Sequence, residues 1–273
     1  MFRLFLLVLL TSCVAADQAA VTASGGASNP NAPARWSLAS FPKNVSVSSA
    51  FSDAEFAVIQ SAASSWNGQV AGTNFFAIST TKITEKSDAA NLDDLMDNVL
   101  GVYKGSTWSR ELPSTALAVT QIFGVRQNRG QASEYVEIVE ADILVNWTFP
   151  YKPTDITGYD LFSVVLHEYG HFLGLSHTTN LGHDSIMFPT IDKASSFTRP
   201  GSLDLSNLQV KYQIGSRGVL SAARPQAAQK PSTLDDVRNS GNGVRILLEL
   251  YPDGTCLHRV DGMIVHTHPV KLE

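Results

Sequence analysis

Residues His167 to His177 read HEYGHFLGLSH and hold three of the chain's seven histidines. On a helix, His167 and His171 stand four residues apart, so their imidazoles lie one turn apart and can grip a single ion. Gly174 can take a positive φ, ending the helix and turning the chain so that His177 comes back towards the other two. Three neutral imidazoles leave one tetrahedral position for water, the ligand number of a catalytic zinc. Glu168 directly follows His167, so its carboxylate can reach that water without being a ligand and can serve as a general base. Without a metal, three convergent histidines would repel one another when charged and would need partners when buried.

The elements around this stretch must position it. At about 100° per residue, Phe162, Val165, Leu166, Tyr169 and Leu173 fall on one side of a helix over Asp160–Leu173 and predict a core face. Asp160, Val164, His167 and His171 fall on the other side, with Glu168 beside them. Upstream, Asn44–Phe51 alternates as a strand. Ser52 and Glu55 form a helix start, with Phe51 and Phe56 spaced as a staple. Phe56, Ile59, Ala63 and Trp66 recur at helical spacing up to Gly68. Asn74–Ser79, Val99–Tyr103, Ala116–Val125 and Val136–Val145 read as further strands, and Leu203–Tyr212 as a third helix. The fold class expected is α+β, a twisted, mostly parallel mixed sheet with an antiparallel edge strand and about three helices.

The 273 residues divide by texture. Residues 1–12 are an apolar signal-like segment, 14–34 a linker rich in Ala, Ser, Gly, Asn and Pro, and 35–214 the main domain. Residues 215–242 read as a second linker, and 243–273 as a small β extension with turn signals at Pro252-Asp253-Gly254 and Asp261-Gly262. Arg3 precedes the apolar run Leu4–Leu10, too short to span a bilayer. Leu10-Thr11-Ser12-Cys13 resembles the lipobox of bacterial lipoproteins, whose cysteine is lipidated; ordinary cleavage after Val14-Ala15-Ala16 is the alternative. An exported chain, held to a membrane through Cys13, is the reading favoured here. Its linker would span about 25 Å by random-coil scaling. Lipidation of Cys13 leaves Cys256 as the remaining thiol, so no intrachain disulfide is expected. With 16% charged residues, a net charge of -5 and no basic run, nucleic acid is not an expected partner.

Extended to Gly174 and His177 and followed by Met187, the motif has the metzincin pattern with its downstream Met-turn. DLFSVVLHEYGHFLGLSH followed by SIMFP resembles the matrixin branch, the matrix metalloproteinases and their bacterial relatives, and the order of elements is similar over residues 35–214. The resemblance implies a zinc-dependent endopeptidase acting on polypeptides with a single catalytic zinc, and a monomer is expected. His167, His171 and His177 would be ligands and Glu168 the base. Met187 would floor the metal, and Phe188 and Pro189 would wall the pocket for the residue after the scissile bond. ALAVTQIFGV would be the sheet edge where an extended substrate pairs. A non-catalytic envelope lipoprotein using the same fold as a binding module is the alternative class.

Departures from the family matter too. No histidine precedes His167, so the second, structural zinc of matrix metalloproteinases is not expected, and calcium is left unsupported. Residues 14–34 contain no cysteine, so a cysteine-switch propeptide is not expected. Pro189 stands where astacin-like and serralysin-like relatives place a tyrosine. His183 reads as a loop histidine, His266 and His268 as strand histidines near His258, and Asp142 as a structural strand residue.

Overall fold

The computed structural model describes residues 28–83, 91–178, 184–189, 191–214, 232–252 and 255–269. In chain order the elements begin with β1 (Ala34–Arg35), β2 (Lys43–Ser48), α1 (Asp53–Ser64), β3 (Phe76–Ile83) and β4 (Gly101–Gly105). The long strands β5 (Ala118–Gln127) and β6 (Tyr135–Asn146) follow, then the short β7 (Tyr151–Lys152) and β8 (Tyr159–Asp160). Helices α2 (Leu161–Phe172), α3 (Ser202–Tyr212) and α4 (Leu234–Asn239) precede a terminal meander of β9 (Gly243–Leu250), β10 (Thr255–Val260) and β11 (Met263–Pro269).

The main sheet has the order β11-β10-β9-β5-β6-β4-β2-β3, with β1 beside β6. Strands β3, β2, β4 and β6 run parallel, and β5 is antiparallel to β6. This is the mixed α+β sheet with an antiparallel side that the strand pattern implied. One expectation does not hold: β5 is not an edge. Strand β9 pairs antiparallel with it from Ala118↔Leu250 to Val125↔Gly243, so the C-terminal strands continue the main sheet. Their apolar residues explain the position, since a meander of this size cannot bury its own faces and must dock. Helix α4 also lies inside the segment read as a linker, started by a capping box between Thr233 and Asp236.

Both faces of the sheet are covered. Ala118, Ile122, Ile143, Leu248 and Leu250 belong to the main core with α1, α2 and α3. Their neighbours Val119, Leu144 and Leu247 point the other way and meet Leu92, Leu95, Tyr103, Leu112 and Tyr251 in a second cluster. Helix α1 starts on the expected capping box, Ser52 accepting from the Glu55 amide and Glu55 accepting from the Ser52 amide. The same Glu55 carboxylate takes Lys104 Nζ at 2.9 Å and Thr154 Oγ1 at 2.8 Å, and these bonds hold it below the usual carboxylate range against its burial. Just past α1, Trp66 Nε1 donates to Leu166 O at 3.2 Å, fastening the segment after the first helix to the middle of α2.

Helix α2 departs from a two-faced helix: every residue from Leu161 to Phe172 is buried except Phe162, which is half-buried. Its polar side is therefore internal, covered by the sheet and the loops around it. The free carbonyls at its end are satisfied by two distant aromatic side chains. Trp36 Nε1 donates to Phe172 O at 2.7 Å, and Tyr212 Oη donates to Leu173 O at 2.9 Å.

Candidate metal centre and active site

Asp160 caps α2, accepting from the Ser163 amide at 2.9 Å and from its hydroxyl at 2.5 Å. Gly174 closes the helix at φ +81, with its amide on His171 O at 2.7 Å. The reversal delivers His177, and the three Nε2 atoms form a triangle with sides of 3.0, 2.9 and 2.9 Å. Among the described residues, these three form the one group of this kind whose donor atoms converge.

The outer nitrogens settle how those inner atoms are protonated. His167 Nδ1 lies 2.7 Å from Ile186 O, and His171 Nδ1 lies 2.8 Å from Leu175 O. A carbonyl only accepts, so both Nδ1 atoms carry the hydrogen and both Nε2 atoms present lone pairs. His177 Nδ1 lies 3.0 Å from His258 Nε2 in β10. Lone pairs aimed at one another at 3 Å are unfavourable unless a cation lies between them. The donor set therefore fits a zinc ion, with the outer contacts that ligating histidines require. Burial pushes His167 down to about 4, offset in part by its bond to Ile186 O. Burial, with His167 and His258 adding to it, holds His171 well below its ordinary value. Both imidazoles are neutral, as ligands must be.

Glu168 is buried beside them. Its Oε2 accepts from Thr120 Oγ1 of β5 at 2.5 Å, while its Oε1 is buried without a hydrogen-bond partner. Burial pushes this carboxyl up to about 8, and the Thr120 bond pulls it down. One oxygen is thus anchored and the other carries no hydrogen bond.

The Met-turn supports the same helix from below. Asp204 of α3 accepts from Ser185 Oγ, from the Ile186 amide at 2.8 Å and from the Gly201 amide at 2.8 Å. Burial raises its pKa above the ordinary value, and these hydrogen bonds offset the rise only in part. They fix the turn so that Ile186 O meets His167 and Met187 is buried under α2. A side chain at Gly170, between the two helical histidines, would overlap the Met187 sulfur. Phe188 is half-buried and Pro189 buried beyond it.

Of the site residues read from the sequence, His167, Glu168, His171, His177 and Met187 come together. Cys13 and His183 lie outside the described residues. His266 stands opposite His258 in the β10–β11 register and His268 opposite Cys256. Asp142 accepts from the Gly101 amide at 2.9 Å and ties β4 to β6. Sequence reasoning missed Thr120, Asp204 and the role of His258. Only Asp204 left a local signal, three residues after Gly201 at the start of α3.

Residues 140–213 match the family model described as Matrixin, a span running from the end of β6 through α2 and the Met-turn to the end of α3. This part of the chain is similar to matrixins. A solved structure with a detectable likeness is high choriolytic enzyme 1, a hatching enzyme zinc-protease from Oryzias latipes (medaka fish). It is 13% identical, the match covers 66% of this chain and 94% of that one, and the TM-score is 0.32.

Proposed function

We propose that this protein is a zinc-dependent endopeptidase, with His167, His171 and His177 as the ligands of a single catalytic zinc and Glu168 as the general base. The observation that carries the reading is the convergence of three Nε2 atoms, two of them held as lone pairs by backbone carbonyls, beside a buried carboxylate with one unpartnered oxygen. Zinc, when bound, polarises a peptide carbonyl and lowers the pKa of a coordinated water to about 7. Glu168 takes a proton from the water as its oxygen adds to the carbonyl carbon. The carbon–nitrogen bond then breaks, and Glu168 passes the proton to the leaving amine. Thr120 holds the carboxylate in the rotamer this exchange needs. Met187 supports the ligand helix, and Phe188 and Pro189 wall the pocket for the residue after the scissile bond.

Metal analysis is expected to give a single zinc per chain. Hydrolysis of a denatured protein substrate should stop on chelation and resume when zinc is returned. A chain that carries no zinc, or hydrolysis indifferent to chelation, overturns the reading.

The chain is further read as an exported monomer, anchored through a lipid on Cys13, on the strength of the apolar Leu4–Leu10 run and the Leu10-Thr11-Ser12-Cys13 sequence. Cys13→Ser should move the protein from the membrane to the soluble fraction. Equal distribution of the two forms would refute the anchor.

A further inference from the structure

We infer that the outer edge of β5 is the polypeptide-binding surface of this protein and that, in the intact chain, the meander β9–β11 occupies it in the manner of a bound substrate strand. The inference rests on the endopeptidase reading and extends it to regulation of the same site.

The edge in question is the one that passes the base. Thr120 of β5 holds Glu168, and Leu248 of β9 is directly opposite Thr120. His258 of β10 is in turn directly opposite Leu248. Glu168, Thr120, Leu248 and His258 thus form a row across the site, ending where His258 Nε2 meets His177 Nδ1 at 3.0 Å. An extended peptide recognised by strand addition needs unpaired backbone groups along a sheet edge. Strand β5 offers none, because β6 takes one side and β9 the other. His167, Glu168 and His171 are each 0% exposed, and His177 is half-buried on a cleft that it lines with Ile122, Leu248 and His258.

The meander is held firmly. Arg245 places its guanidinium on Gln121 Oε1 at 2.8 and 3.1 Å and pairs with Asp93 at 3.1 Å. Val244, Ile246, Leu248 and Leu250 enter the main core, while Leu247 and Tyr251 enter the second cluster. With these side chains buried, a free peptide is a weak competitor for this edge. The intact chain is therefore expected to work at a low basal rate, and release of the meander to raise it. The geometry makes the meander a tethered occupant of the cleft, in a chain whose residues 14–34 contain no cysteine.

The test uses the full zinc-loaded chain in two altered forms. One carries Ile246→Asp and Leu248→Asp, which put charges on the buried side of β9. The other carries a site-specific protease sequence within residues 217–230, is cut, and is separated from the C-terminal fragment. Binding of a fluorescent extended peptide, its hydrolysis, near-UV circular dichroism and zinc content are measured for both forms and for the intact chain. Binding at least about tenfold tighter than to the intact chain is expected in a form that keeps its fold and zinc, with a matching rise in hydrolysis. Adding back the C-terminal fragment should reverse it. If neither form binds the peptide better than the intact chain, or both lose fold and zinc, the meander is a structural part of the sheet and the inference fails. If they bind tightly but do not hydrolyse, the occupant reading stands and the endopeptidase reading falls.

Discussion

Glu168→Gln is expected to leave zinc binding intact and to lower peptide hydrolysis by about 10²–10⁴-fold, the range for loss of a general base. The substitution keeps the shape of the side chain and its acceptor towards Thr120 Oγ1, which lies 2.5 Å from Oε2. It removes the oxygen that takes the proton, because the amide nitrogen replacing Oε1 can only donate. Glu168 is not one of the three converging donors, so metal content should not change. The measurement is best made in the background of Ile246→Asp and Leu248→Asp, where the proposed release of β9 gives the fall room to show. Hydrolysis within about threefold of the parent would remove Glu168 from the role, and loss of zinc would make it part of the coordination instead.

Gly174→Ala should have the largest effect on metal binding of any change outside the ligands. The residue sits at φ +81, where a side chain costs about 1–2 kcal/mol. A Cβ there would also overlap the backbone carbonyl of Ala34. That carbonyl cannot easily give way, because Ala34 and Arg35 pair with Val136 and Glu137 of β6. Overpacking of this kind adds about 1–3 kcal/mol. Relief comes only by shifting the reversal that carries His177, so zinc affinity should fall on the order of a hundredfold while α2 and its two histidines persist. Competition with a chromophoric chelator reads the change. An unaltered dissociation constant would show that the turn is not what delivers the third ligand.

Much of this site was legible because its signals are local. The i,i+4 histidines, the caps at Ser52 and Gly174, and the Met-turn all lie within a few residues of what they control, whereas Asp160, read as part of the helix, proves to be its cap. What escaped is non-local. Thr120 meets Glu168 across 48 residues, Asp204 meets Ile186 across 18, and His258 meets His177 across 81. No periodicity encodes such contacts. The helical wheel separated a core face from a ligand face, yet α2 is buried all round, because the wheel does not register what covers the polar side. The apolar run in β5 does indicate burial on both faces, but a strand's own residues do not say which strand lies at its edge. That is why β9 was not anticipated there. Helix α4 differs: the capping box at Thr233 and Asp236 was readable, and the surrounding Ala, Pro, Gln and Ser obscured it.

The partners of the three outer histidine nitrogens have a consequence for how this site tolerates change. Two are backbone carbonyls, those of Ile186 and Leu175, which every amino acid supplies, so substitutions at these positions preserve the acceptor as long as the chain path is kept. The partner at His177 is a side chain, that of His258. Inheritable variation can therefore retune the third ligand through a single codon, whereas the other two are insulated from it by the main chain itself.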